Sequence, residues 1–188
     1  MRTTLIVISS ILALISPCIY IWSILKGETK PHRTTRFVLL LINLLSFAAL
    51  LADGNRVAVW LAAISALQAI PIFILSLKRG MGGWSLADIV CLLIALAGIV
   101  AWQTTSEPLL GLYFALGADF VGMVPALIKT YRLPHTENPW FYGLDAIAAA
   151  CTMLAVTVFS PAQLAYPVYI LLINVVMVAL ILRPRIQG

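Results

Sequence analysis

The sequence predicts an all-α integral membrane protein: seven transmembrane helices forming two parallel three-helix bundles joined by a linker helix. Three observations predict it. The chain of 188 residues is 62% apolar and only 10% charged, against roughly 25% charged in a soluble domain. Its apolar residues fall into seven runs long enough for spans of about 20 residues, separated by short polar segments. Its basic residues alternate from one inter-run segment to the next.

The first span is expected over Leu5–Leu25 and the second over Phe37–Ala52, the latter borrowing Thr34 and Thr35. The third runs Val57–Leu77 and the fourth Ser85–Trp102. The fifth covers Pro108–Ile128, the sixth Pro139–Val158 and the seventh Ala162–Leu182. Pro108 and Pro139 suit first-turn positions, where a missing N–H costs nothing. Trp22, Trp84, Trp102 and Trp140 fall near span ends, where an amphipathic ring favours the headgroup layer. No alternating ten-residue pattern suggests barrel strands, so helices must satisfy the backbone in lipid. Arg2 and small residues near Ser16 resemble a signal peptide. Apolarity continues to Leu25 and the far flank is the more basic one, so this segment is expected to remain a span.

Ten of the twelve Lys and Arg residues lie in the first, third and fifth loops and the C-terminal tail. The positive-inside rule then places the N-terminus outside and the tail in the cytoplasm of a multi-pass cell-membrane protein. The net charge of +5 is thus topological, and no nucleic-acid partner is expected. Cys18, Cys91 and Cys151 lie inside apolar runs without metal spacing, and read as small buried residues at helix contacts.

Two loops match at an offset of 103 residues: Lys26 on Lys129, Pro31 on Pro134, His32 on His135 and Phe37 on Trp140. A three-helix unit ends on the side opposite its start, so a fourth helix is needed before a parallel second copy. The expected organisation is a first bundle over 1–80, a linker helix over 81–104 and a second bundle over 105–188. Parallel repeats of this kind are a known transporter plan. His32 and His135 are expected to cap or pack their loops rather than bind metal.

Polar residues sit at the centres of five spans: Ser16, Asn43, Gln68, Asp119 and Asn174. The fourth span carries none there. A carboxylate at mid-bilayer is costly if charged, so Asp119 is expected to be neutral or to face water, as a solute hydrogen-bond partner or a proton-coupling acid. The amides of Asn43, Gln68 and Asn174 either line a solute path or tie helices together. Pro17, Pro71, Pro125 and Pro167 lie inside spans, where each frees a carbonyl and serves as a candidate hinge. Asp88 and Asp145 lie nearer the cytoplasmic ends, where they are expected to balance Lys78, Arg79 or Lys129.

The stretch Gly117 to Trp140, G-A-D-F-V-G-M-V-P-A-L-I-K-T-Y-R-L-P-H-T-E-N-P-W, resembles the repeat unit of SWEET, SemiSWEET and PQ-loop proteins. Pro125, Lys129, Glu137 and Trp140 fill the motif positions, and the whole chain looks like the 3+1+3 SWEET plan. The resemblance implies facilitated or proton-coupled passage of a small uncharged solute, such as a sugar, through a central site. Family asparagines in the third helix of each bundle map onto Gln68, a departure, and Asn174. Two further departures are that spans two and six lack an interior proline and that Ala126 follows Pro125 where the family has Gln. No span holds a Lys, which argues strongly against a retinal pigment. No H-E-x-x-H motif, His/Asp array or nucleophile elbow is present, so no enzyme is expected and no cofactor is implied. The alternative to a carrier is a non-transporting sensor or assembly scaffold; homo-oligomerisation stays open under both.

Overall fold

The computed structural model describes residues 2–29, 31, 33–80, 86–132, 134 and 137–183, leaving out the side chains of Thr34, Thr35, Ala87, Asp88, Pro125 and Lys129. Among the described residues seven helices follow one another: α1 (Arg2–Lys26), α2 (Arg33–Ala52), α3 (Ala58–Arg79), α4 (Leu86–Thr105), α5 (Pro108–Arg132), α6 (Pro139–Ala155) and α7 (Pro161–Leu182). Four of them, α1, α3, α5 and α7, are long and apolar enough to cross a membrane. Shorter apolar segments occupy Arg36–Ala52 and Ile89–Thr105. His32, His135 and Trp84, the side chains of Asp88, Lys129 and Pro125, and the expected start of the fourth span at Ser85 lie outside the described residues.

Local signals set most boundaries. The α1 and α2 ends share one motif: Glu28 N–H reaches Ser23 O while Gly27 N–H reaches Ile24 O, and Asn55 N–H reaches Leu50 O while Gly54 N–H reaches Leu51 O. This crossed pair needs a left-handed residue, which Gly27 (φ 80°) and Gly54 (φ 73°) supply. Asn55 Oδ1 then accepts from Ala58 N–H at 2.9 Å and opens α3. Asn138 accepts from Trp140 N–H at 2.9 Å ahead of Pro139, so that proline occupies the expected first turn.

The sixth helix is shorter than its apolarity suggests. It stops at Ala155 rather than Val158, and Val156 is extended with its N–H on Met153 O. Val156, Thr157 and Val158 are all β-branched, which disfavours helix. Pro161 holds the preceding Ser160 extended, and the Ser160 side chain caps α7.

The helices pack in a closed ring. α1 touches α3 and α6; α3 touches α2; α2 touches α5; α5 touches α7; and α7 touches α6. α3 also meets α7 and α6 across the ring, while α4 lies against α5 and α2. Exchanging α1 with α5, α2 with α6 and α3 with α7 maps the ring neighbours onto themselves. Large apolar side chains such as Val7, Leu67, Ile74, Leu93, Leu154 and Leu172 point outward all around. A surface of that kind suits lipid. Cys18 belongs to it and is exposed rather than buried, whereas Cys91 is buried where α4 meets Gly122 of α5.

One end of the ring carries most of the cations, and we call it the basic end. There Arg79 donates to Leu25 O, Arg33 Nε to Gly80 O at 3.0 Å, and Arg183 Nη2 to Tyr131 O at 2.5 Å. Gly80 closes this end of α3. A Cβ there would lie 2.2 Å from Ser76 O and 2.6 Å from Pro31 O, both backbone atoms. Gly80→Ala is therefore expected to lower the thermal unfolding midpoint in detergent. Gly117→Ala, with nothing within 4 Å of its Cβ, is expected to hold or raise it, since alanine favours helix over glycine by about 1 kcal/mol.

Candidate functional site

Two of the apolar clusters lie toward opposite ends of the ring. The cluster away from the basic end joins Ala13, Ala49, Leu50, Ala62, Leu112, Ala148, Ala149 and Tyr166. The cluster at the basic end joins Tyr20, Ile24, Ile72, Phe141, Tyr142 and Met177, with Met123 against it. Between them α1, α3, α5, α6 and α7 carry polar side chains. Ser16 falls between Ala13 and Tyr20 on α1, and Gln68 between Ala62 and Ile72 on α3. Asp119 falls between Leu112 and Met123 on α5, and Asp145 between Tyr142 and Ala148 on α6. Tyr169 and Asn174 fall between Tyr166 and Met177 on α7.

This polar layer is held together by hydroxyl-to-carboxylate hydrogen bonds. Tyr169 OH on α7 donates to Asp119 Oδ2 on α5. Ser16 Oγ on α1, fully buried, donates to Asp145 Oδ1 on α6 at 2.5 Å. Tyr166 is 2% exposed, and its hydroxyl lies within electrostatic range of both carboxylates and beside Ser65. It makes no hydrogen bond of ordinary geometry among the described residues. Gln68 Oε1 is likewise buried and unpartnered among them.

The sequence-predicted residues divide into two groups. Ser16 and Asp119 each make a bond between helices. Asn43 and Asn174 bond inside their own helices, through Nδ2 to Leu39 O at 2.7 Å and to Ile170 O at 2.8 Å. Asn174 is 8% exposed, on the same helical face as Tyr166. Asp145 was expected to balance loop cations but instead partners Ser16. The α1–α6 contact carries it deeper than its position in the sixth span suggests. Pro17 and Pro167 are buried within α1 and α7, and Pro71 is half-buried within α3. Each leaves a carbonyl one turn earlier without its helical donor: Ala13, Gln163 and Leu67.

Beyond the polar layer, away from the basic end, the α2–α3 and α4–α5 connections bring two acids near each other. Partial burial, and then the charge of Glu107, hold the Asp53 carboxyl above its ordinary value. Among the described residues no three of His, Cys, Asp or Glu gather where they could hold a metal ion. The layer offers two carboxylates and several hydroxyls and amides, a set suited to binding a solute's hydroxyl groups or exchanging protons. No family model, curated protein or solved structure matches this chain.

Proposed function

We propose that this protein is a membrane carrier for a small uncharged solute of sugar-like character, facilitative or proton-coupled, binding midway through the bilayer. In this reading all seven helices span. α1–α3 and α5–α7 are like-oriented bundles, α4 is the linker, the N-terminus is outside and the basic end is cytoplasmic. The site lies between the bundles and includes Asp119, Asn174, Gln68, Asn43 and Ser16, joined by Asp145, Tyr166 and Tyr169. Pro17, Pro71, Pro125 and Pro167 let the helices bend around it. The resemblance to SWEET and PQ-loop proteins implies the same plan, and the exchange symmetry of the ring neighbours supports it.

The observation that carries the proposal is the interior pairing of two acids with hydroxyls on other helices, around a buried tyrosine hydroxyl. A bundle meant only to stand in lipid gains little from two mid-depth carboxylates. Interhelical hydrogen bonds in membranes contribute about 0.6 kcal/mol on average, less than the cost of placing a charged acid there. That imbalance argues for a task at that depth.

The test is uptake by purified protein in liposomes. Labelled hexoses, pentoses and polyols would be offered with and without a pH gradient, against protein-free vesicles. The expected result is saturable entry of at least one neutral solute. Entry no faster than through bare lipid across the whole panel would count against a carrier and favour a scaffold or sensor.

A further inference from the structure

At the basic edge of the polar layer an arginine turns inward. Arg36 stands in the first turns of α2, from where a long cationic side chain would ordinarily snorkel to the headgroups. Instead its Nη2 donates to Tyr20 OH on α1, and its guanidinium carbon lies 4.7 Å from the Tyr20 ring centre. Tyr20 is 1% exposed and stacks on Phe141 of α6, ring centres 4.7 Å apart and planes tilted by 30°. Phe141 meets Tyr142 edge-on at 4.8 Å, and Tyr142 OH donates to Glu137 Oε2 at 3.2 Å. Glu137 and Tyr142 both lie within electrostatic range of Arg36, and Arg36 within range of Asp119.

From this geometry we propose that Arg36, Tyr20, Phe141, Tyr142 and Glu137 are the gate that closes the basic end of the polar layer. The inference rests on the carrier reading above. Its physical basis is how the partners divide. Arg36 and Tyr20 belong to α2 and α1, on one side of the ring. Tyr142 and Glu137 belong to α6 and the segment before it, on the other. The Arg36–Tyr20 hydrogen bond stays on one side and the Tyr142–Glu137 hydrogen bond on the other, while the Tyr20–Phe141 ring stack and a longer-range charge attraction cross between them. Parting the two sides therefore leaves these donors and acceptors satisfied, which matters where an unmade buried hydrogen bond is costly. The closed form is held by aromatic contact and by the attraction between Arg36 and Glu137. The opened form exposes rings and a charge pair to water entering from the basic end.

Farther along, the same two helices are fastened differently. Ser9 Oγ of α1 donates to Ala148 O of α6 at 2.8 Å and lies 2.7 Å from Thr152 Oγ1. A contact between small residues at one end and a separable stack at the other gives α1 and α6 a pivot and a mouth.

The experiment uses the full chain with Cys18, Cys91 and Cys151 replaced by Ala and Asn174→Cys as reporter. A membrane-impermeant charged thiol reagent is applied to the basic side of oriented vesicles, without solute. Phe141→Ala is expected to raise the labelling rate at least tenfold from that side and to leave labelling from the other side no faster. A companion protein carries Tyr20→Cys and Phe141→Cys in the same background without the reporter. There, cross-linking by a short bifunctional methanethiosulfonate, which forms a disulfide to each cysteine with loss of methanesulfinate, is expected to stop solute exchange, and cleavage of those disulfides by reductant to restore it in the same sample. Unchanged labelling in a folded Phe141→Ala protein, or exchange unaffected by a completed cross-link, would overturn the gate. If labelling follows the gate while no solute in the panel moves, the gate stands and the choice of solute fails. If solute flows regardless of the cross-link, the carrier stands and the gate fails.

Discussion

Asp119→Asn in the reconstituted protein is expected to reduce solute flux about 10- to 100-fold, with the amount of folded protein unchanged. Asn has the size and shape of Asp, so packing between α5 and α7 is kept. What changes is the acceptor. Tyr169 OH donates to a carboxylate oxygen in the native protein, and an amide accepts more weakly and cannot take up or release a proton. Hydrogen bonds to charged groups contribute about 1.5–3 kcal/mol, against about 1 for neutral pairs, and a loss of that difference plus the site's direct bond to solute sets the expected range. Tyr169→Phe keeps the acid but removes its donor, and is expected to fall between wild type and Asp119→Asn. Flux is measured as initial rate at several solute concentrations, with size-exclusion elution as the folding control. Equal rates for Asp119→Asn and wild type would remove Asp119 from the transport path.

Much of the scaffold was legible because a long apolar run can satisfy its backbone within itself as a helix. Seven apolar runs appear as seven helices, and Pro108 and Pro139 mark starts by a backbone rule that needs no tertiary information, whereas the left-handed Gly27 and Gly54 at the ends of α1 and α2 were not read from the sequence. The exception, α6 stopping at Ala155, reflects local chemistry that a count of apolar residues ignores. The site was legible only in part. Depth can be counted along a span, so Ser16 and Asp119 stood out. The relative depth of two helices cannot be counted, and Asp145 was misplaced for that reason. A signal was available: Asp145 opens the run Ala146-Ile147-Ala148-Ala149-Ala150, and an acid beside a stripe of small residues points where helices touch. Arg36 was hidden differently. Counted as one loop cation among several, it served the topology argument, and nothing along the chain distinguishes an inward guanidinium from one at the headgroups.

The second large effect is expected on stability, at Ala148→Leu. Ala148 and Ala149 are fully buried, and the carbonyl of Ala148 accepts from both Ser9 Oγ of α1 and Thr152 Oγ1 of its own helix, at 2.8 and 3.0 Å. A serine side chain reaches a neighbouring helix's backbone only where the two approach closely, so little room remains beside that carbonyl. Leucine adds three carbons there. Overpacking a filled interior costs about 1–3 kcal/mol. Displacing α1 also breaks the Ser9 bond, adding roughly 0.6 kcal/mol at the average for membrane proteins. With about 2–4 °C per kcal/mol as the soluble-domain guide for this chain length, the unfolding midpoint in detergent should fall by several degrees. Leu154→Ala, at an outward position 73% exposed, should leave it nearly unchanged, because detergent covers that site in either variant. The contrast tests the arrangement itself: if both substitutions act alike, α6 does not present its alanines to α1. The polar layer would then lose the contact that brings Asp145 to Ser16.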